Sequence, residues 1–385
     1  MRRLLLLVGA IVLVDTMFFA ALTPLLPHYV DKFDLGKAGA GVLQAMYPIG
    51  ALVAGIPSGI AAARLGVRRT VMIGLTLLAI TTVAFGLASS VWLLFLARFL
   101  QGVSSAFSWT GGLAWLVAAA PSGQRGRLIG SAFGAAIAGA LFGPVLGAIA
   151  SFTGTAPAFG AVAGLAVVLA VAAASTPAST PERPQPLRML GDALRFDRRI
   201  QAGVWLCLLP ALLFGTLSVL APLRLSDLGW GAAAVGGTYL VSAGLEAAWA
   251  PVLGRISDRI GRFRPLQVAL LSSAVVAALL PWPDNVWMLG FLVVCAGFAF
   301  GSFWTPAMSM VTDTAEQRGL DYGYAFALIN LAWAPGQAGG AAIGGALASA
   351  TSDAVAYLSL AGLCLLTLLA LARYRETTAP VVAAR

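Results

Sequence analysis

The chain has 385 residues, of which 59% are hydrophobic and only 10% charged, with a net charge of +9 and a mean hydropathy of +0.90. Soluble globular chains carry about 25% charged residues and about 45–50% apolar ones. That gap excludes an ordinary water-soluble enzyme, a disordered chain and, despite the basic balance, a nucleic-acid binder. The composition is that of an all-α membrane protein.

A bilayer core of about 30 Å takes about 20 apolar helical residues to cross. Twelve stretches meet that requirement: 4–29, 37–60, 69–90, 92–118, 127–150 and 156–174, then 201–223, 231–252, 266–282, 286–309, 322–349 and 354–373. Between the two sets runs Thr176–Ile200, rich in Pro and charge, which reads as a linker. The expected organisation is a six-helix bundle over 1–175, a cytoplasmic linker over 176–200 and a second six-helix bundle over 201–385. With the N-terminus inside, 20 of the 24 basic residues fall in inside segments, while Lys32, Lys37 and Arg224 lie outside and Arg98 lies within a span. This bias follows the positive-inside rule and places both termini in the cytoplasm. Met1-Arg2-Arg3 before an apolar run has the outline of a signal peptide. The run continues through Pro24 and Pro27, however, and eleven spans follow, so a retained helix is expected. Cys207, Cys295 and Cys364 read as small buried hydrophobes, and a single histidine, His28, excludes a His-based metal centre. No cofactor is expected.

Taken in chain order, span one carries Asp15, about 16 Å above the start of its helix by helical rise. The loop after span two reads GIAAARLGVRR, with Gly59, Arg64, Gly66, Arg68 and Arg69. Span four carries Arg98 within ARFLQGVSSA, about 9 Å below its outer start, so Asp15 and Arg98 can share a level. In span five, Gly130/Gly134, Gly139/Gly143 and Gly143/Gly147 are each four apart, which predicts one smooth ridge, and Pro144 predicts a kink.

The second half carries Glu246 in span eight, about 12 Å from its inner end. The loop after that span reads GRISDRIGRFR, with Gly254, Asp258, Arg259, Gly261 and Arg262. Gly59, Arg64, Gly66 and Arg69 map onto Gly254, Arg259, Gly261 and Arg264 at an offset of 195. This is an internal repeat of two halves, the usual architecture of alternating-access carriers with a mid-plane substrate site. The repeated arginines serve as a gate latch or simply obey the positive-inside rule, and the preserved spacing favours the latch.

These two loops resemble the signature loop of the major facilitator superfamily, G-x-L-a-D-R-x-G-r-r. Asp258 stands at the acidic position of the second copy, and Ala63 replaces the acid in the first. Arg98, Gln101 and Gly102 match the superfamily's R-x-x-Q-G, and Gly139, Gly143, Pro144 and Gly147 match the G-x-x-x-G-P-x-x-G-G of proton-coupled exporters, with Ala148 for the last glycine. LVDTMFFAALTPLLP in span one resembles the first helix of twelve-helix drug:proton antiporters. The run Ala97–Phe159, with TGTAPAF, is similar to bacterial relatives of vesicular amine transporters, although the second half offers only Asn330 where those carriers have a membrane acid. The resemblance implies the major facilitator fold, two pseudo-symmetric six-helix bundles with helices one and four side by side.

Three ionisable residues lie deep in spans: Asp15, Arg98 and Glu246. Each costs about 2.5–3.5 kcal/mol at a helix centre, so each implies a partner, a cavity or a function. Asp15 reads as the proton carrier tuned by Arg98, or else the two form a static ion pair. Their net charge of −1 with Glu246 suits cationic or neutral ligands. Glu246 reads as an amine ligand, a second proton site or a neutral bonded acid. Trp109, Trp249, Asn330 and Trp333 are the candidate substrate contacts, against the alternative that aromatics in membrane helices only pack. The reading is a monomeric transporter in a bacterial plasma membrane, bound to lipid and no nucleic acid. It exchanges protons for a small amphipathic organic compound by alternating access. The alternative is proton-coupled or facilitated uptake of a sugar or amino acid. No phosphate-binding loop or clustered catalytic groups point to an ATPase or an enzyme.

Overall fold

A computed structural model describes residues 1–120, 125–178, 187–261, 263–320 and 322–378. These form fourteen helices and, among the described residues, no strand. In the first half lie α1 (Arg2–Phe33), α2 (Lys37–Leu65), α3 (Val67–Gly86), α4 (Val91–Ala119), α5 (Arg125–Thr153) and α6 (Thr155–Ser175). A short α7 (Leu187–Phe196) precedes α8 (Arg198–Asp227), α9 (Ala232–Ile260), α10 (Phe263–Leu279), α11 (Val286–Gly301), α12 (Trp304–Gln317), α13 (Tyr322–Ala350) and α14 (Asp353–Thr378). Among the described residues nine stretches, with α11 and α12 counted as one, are long and apolar enough to cross a membrane; α9, α13 and the shorter apolar α10 complete the twelve spans.

Two expectations change. The linker is not wholly irregular: Leu187, Leu190 and Leu194 recur at helical spacing, with an Arg188–Asp192 pair one turn apart, and this segment folds as α7. Linker residues 179–186 lie outside the described residues. Span ten is broken at Ser302–Phe303 into α11 and α12. Pro306 lacks the N–H that would bond the Ser302 carbonyl, and Ser302 Oγ instead bonds back to the Phe298 carbonyl at 2.6 Å.

The two halves repeat each other. Helices α2 and α9 are both 29 residues long, and the second lies 195 residues after the first (37 to 232, 65 to 260). Each ends on a glycine in the left-handed region, Gly66 at φ 85° and Gly261 at φ 81°, where a Cβ would be strained. Packing follows the same scheme: α1 on α5, α2 on α4 and α3 on α6 in the first half; α8 on α13, α9 on α11 and α10 on α14 in the second. Large apolar side chains such as Ile56, Val171, Val268 and Leu366 are exposed on the outside, as lipid-facing residues are. Trp92, Trp282 and Trp287 are exposed at one end of the bundle, where an interfacial aromatic belt belongs.

The halves meet through α2–α13 and α5–α9. At the end that bears Lys37 and Asp353 the contact is close. Gly41 lies against the Ala341 carbonyl and Gly345, Gly236 against the Pro144 carbonyl, and Lys37 Nζ pairs with Asp353 at 2.6 Å. At the arginine-rich end, by contrast, a Cβ on Gly55, Gly59, Gly130, Gly134 or Gly254 would meet open space.

Candidate functional site

The site is organised by α4. Ser90 caps its start by accepting from Leu93 N. One turn after Arg98, Gly102 lies directly on the Tyr47 carbonyl of α2, and Gly50 of α2 lies on the Phe99 carbonyl, so the two backbones touch at reciprocal glycines. Gln101 Nε2 donates to the Thr81 carbonyl of α3 (3.2 Å), and its Oε1 accepts from Arg98 Nη1 (3.3 Å). The R-x-x-Q-G pattern is thus one buried cation, one amide that ties it to α3, and one glycine that lets α2 close in.

That close approach brings Tyr47 to Asp15. Asp15 Oδ2 accepts three bonds, from Ser105 Oγ at 2.7 Å and from Tyr47 Oη and Trp109 Nε1 at 2.8 Å each. Asp15 is 1% exposed, and its Oδ1 is buried with no hydrogen-bond partner. Arg98 is fully buried. Its Nη2 donates to the Phe19 carbonyl (2.8 Å), and its guanidinium carbon lies 4.9–5.9 Å from the ring centroids of Tyr47, Phe19, Phe18 and Phe85. No ion pair joins Asp15 to Arg98. Tyr47 stands between them, its hydroxyl on the carboxylate and its ring on the guanidinium, so in place of the alternative, a direct static ion pair, the two are joined by a hydrogen bond and a cation–π contact. Asp15, Arg98 and Trp109 were legible as candidates in the sequence; Tyr47 and Ser105 were not.

Trp333 of α13 meets this cluster from the other half, edge-on to Phe19 at 5.6 Å, while Phe19 leans on Tyr47 at 4.8 Å. Asn330 is exposed. Glu246 and Trp249 form a separate group in α9. The Glu246 carboxyl lies over Gly301, at the α11–α12 break, with no hydrogen bond or ion pair among the described residues. Trp249 leans on Phe298, ring centroids 5.0 Å apart and planes 38° apart, and its buried Nε1 is unpartnered.

In α5, Gly139, Gly143 and Gly147 all press on α1, against Leu13, Ala20 and Ala21 with Pro24. Gly130 and Gly134 do not join this ridge and face open space. Nine residues at about 100° each turn Gly130 to the opposite side from Gly139, which corrects the expected single ridge. Of the arginines in the two repeated loops, Arg68 Nη1 bonds the Ala174 carbonyl at the end of α6, and Arg255 Nε bonds the Pro251 carbonyl in its own helix. Arg64, Arg69 and Arg259 are exposed. Arg262 and the side chain of Asp258 lie outside what the structure describes.

Outside the membrane, Asp197 caps α8 by accepting from Arg199 N (2.8 Å) and Ile200 N (3.3 Å), and pairs with Arg318 at 2.7 Å. Burial pushes its carboxyl up, but those two N–H donors and the Arg318 guanidinium outweigh it and hold the group below the ordinary aspartate value.

A family model described as Major Facilitator Superfamily matches residues 8–337. An uncharacterized MFS-type transporter of Yersinia pestis is 28% identical over 319 residues, 81% of this chain and 80% of that one. A probable vesicular acetylcholine transporter-B of Danio rerio is 33% identical over 141 residues, 34% of this chain and 29% of that one. The MFS-type transporter ppzB of Metarhizium rileyi is 32% identical over 124 residues, 31% of this chain, and the match spans only 26% of that relative's length. Among solved structures, a bacterial homolog of the human lysosomal transporter Spinster, inward-facing and occupied, matches with TM-score 0.75 at 15% identity over 97% of this chain and 95% of its own. A D-xylose–proton symporter matches with TM-score 0.75 at 17% identity over 96% of each. These two likenesses are likenesses of fold.

Proposed function

The chain belongs to the major facilitator superfamily, a multi-pass membrane protein that carries a small molecule across a bilayer by secondary transport, and from that premise we propose that it is a proton-coupled antiporter. It exports a small amphipathic compound, neutral or cationic, across a bacterial plasma membrane. The observation that carries this reading is the buried Asp15 carboxylate: one oxygen is saturated by three donors while the other is left without a partner.

In this reading the arginine-rich end is cytoplasmic and the present conformation is open to the inside. The halves 1–175 and 201–385 rock about the linker, and the Lys37–Asp353 end opens in the alternate state. Oδ1 is the atom that takes the proton, since its protonation leaves the Tyr47, Ser105 and Trp109 bonds to Oδ2 in place. Burial favours the neutral acid and Arg98 favours the carboxylate, so small rearrangements tip the balance. Trp333 of the second half touches Phe19, whose ring leans on Tyr47 and whose carbonyl holds Arg98. A shift of α13 against α1 therefore moves both groups that set the state of Asp15. A proton bound with the outside open and released with the inside open then drives substrate outward. The deep charges Asp15, Arg98 and Glu246 sum to −1, which disfavours anions. The glycine face of α5 (Gly139, Gly143, Gly147) holds α1, and with it Asp15, at a fixed depth.

The test is substrate-triggered proton movement in inverted vesicles, with cationic, neutral and anionic organic compounds added to wild type and to Asp15→Asn. The expected result is proton efflux from the lumen with cations or neutrals, lost in Asp15→Asn, while substrate counterflow without a gradient persists in the variant. Full gradient-driven transport by Asp15→Asn would overturn the proton-carrier role. Efflux triggered only by anions would overturn the substrate class.

A further inference from the structure

A groove of about 790 Å³ lies wholly within the second half, walled by α8, α10, α12 and α14. Its walls include Trp205, Phe263, Leu363 and Leu366. Leu366 is 66% exposed and Trp205 38%, so the groove reaches the outer, lipid-facing surface of the bundle. Nothing in its lining comes from the first half, so rocking of one half on the other does not carry it from one side of the membrane to the other. It is therefore not a station on the transport path.

At one end the groove runs into a polar bay of about 390 Å³, with which it shares Arg199, Thr314 and Gln317. The bay adds Arg198, Arg318 and Asp197. Arg318 is engaged by Asp197 at 2.7 Å. Asp313 also lines the groove. Arg198 and Arg199 are exposed and have no ion-pair partner among the described residues. Beside the bay, α7 ends on Phe196, 71% exposed, an apolar ring presented at the membrane surface next to Arg195. An apolar slot open to lipid and a cationic mouth at the level of the headgroups thus form one continuous surface.

We propose that groove and bay together bind one membrane lipid with an anionic phosphate headgroup, its acyl chain against Trp205 and Leu366 and its phosphate at Arg198 and Arg199. The acyl chain fills a slot that water would occupy poorly. Two arginines at the mouth supply the charge that zwitterionic lipids do not satisfy. A soluble phosphate would find the bay but leave the groove unfilled, whereas a lipid satisfies both.

Trp205 reports on this directly. The full chain is reconstituted in phosphatidylcholine containing a small fraction of brominated-chain phosphatidylglycerol or, separately, brominated-chain phosphatidylcholine, and tryptophan quenching is compared. Brominated phosphatidylglycerol is expected to quench more at equal mole fraction, and the excess is expected to vanish in Trp205→Phe. In Arg198→Gln/Arg199→Gln the phosphatidylglycerol concentration needed for half the excess rises about thirtyfold, from about one headgroup-level interaction per arginine. Ala370→Phe, which fills the groove without adding a tryptophan, abolishes the excess and leaves the arginines in place. Equal quenching by the two lipids, or an excess that survives Trp205→Phe or the double arginine variant, overturns the proposal. So does loss of the excess on adding millimolar inorganic phosphate, which would make the site an anion site without a lipid.

Discussion

Shifted by 195 residues, the α2–α4 contact of the first half becomes the α9–α11 contact of the second. Tyr47 and Gly102 become Ser242 and Gly297, and Trp109 becomes Trp304. In both halves the glycine of the second helix lies against that residue of the first, but not against the same atoms. Gly102 meets the Tyr47 carbonyl, which is backbone, whereas Gly297 meets the Ser242 side chain and Gly301 meets the Glu246 side chain. The counterparts of Arg98 and Ser105 are Val293 and Phe300, so the charged cluster has no equivalent, and Glu246 stands alone where the first half has Ala51. The repeat has kept the helix approach and discarded the chemistry. Only the first half uses the approach to hold a carboxylate, a phenol and a guanidinium in register.

That difference is sharpest in the response to an added methyl group. A Cβ on residue 102 would strike main chain that the α2–α4 pairing holds in place, so Gly102→Ala is expected to cost toward the upper end of the ~1–3 kcal/mol of overpacking. A Cβ on residue 297 meets chiefly the Ser242 hydroxyl, which can rotate away, with the Ser242 Cβ at 3.2 Å and its backbone carbon only at 3.8 Å, and Gly297→Ala is expected to cost under ~1 kcal/mol. Unfolding in SDS titrations of both variants tests this. Equal costs would mean that the two contacts are equivalent and that the asymmetry drawn above is wrong.

The next largest effects separate the two acids. Tyr47→Phe keeps the ring on Arg98 but removes a donor to a buried carboxylate, and is expected to cost about 1.5–3 kcal/mol. Glu246 has no such donor to lose, so Glu246→Gln is expected to lie within ~0.5 kcal/mol of wild type. The same titration checks both. A destabilised Glu246→Gln beside a neutral Tyr47→Phe would invert the roles assigned to the two halves.

How much of this was readable beforehand follows the same division. Asp15, Arg98 and Glu246 announce themselves because an ionisable residue in an apolar run is costly wherever its helix packs. The repeat of Gly66 and Gly261 was visible because a tight turn that needs positive φ leaves its glycine at a constant place. Tyr47 and Ser105 gave no such signal. Hydroxyl and aromatic residues are common in membrane helices, and what brings these two to Asp15 is the distance between α1, α2 and α4, which no single helix encodes. The separation of Gly130 from Gly139 was legible from helical angle, had the rotation been worked out rather than the spacing matched; the break at Ser302 was not, because Pro24, Pro48, Pro144, Pro210 and Pro335 sit inside unbroken helices of the same chain.

Outside the membrane, Asp197 caps α8 in the second half, whereas α1, its counterpart in the first, starts without a side-chain cap bond. Asp197→Ala is expected to cost about 0.5–2 kcal/mol from the lost cap. Because the folded carboxyl sits below its ordinary value, its contribution is fully present above the unfolded aspartate range of about 3.9, and is lost as pH falls through the lowered folded value. Wild type and Asp197→Ala stabilities should therefore run parallel at neutral pH and converge in acid. Parallel curves down to strong acid would show that the carboxylate charge contributes nothing there.

The smallest expected effect lies where the halves meet. Lys37–Asp353 joins α2 to α14, with side chains 36% and 16% exposed, so a double-mutant cycle of Lys37→Ala and Asp353→Ala is expected to give a coupling of about 0.2–1 kcal/mol that shrinks in high salt. In the proposed alternation its consequence exceeds its size, because the pair exists only while that end is closed. A coupling of 1 kcal/mol shifts a two-state population about fivefold, so the double variant should populate the state open at that end several-fold more. Spin-label distances between positions 31 and 351 measure this directly. The small-residue contact of Gly41 with Ala341 and Gly345 closes the same end without charge. A distribution indifferent to the ion pair would assign the closure to that apolar packing, and Gly345→Val would then produce the opening that Lys37→Ala did not.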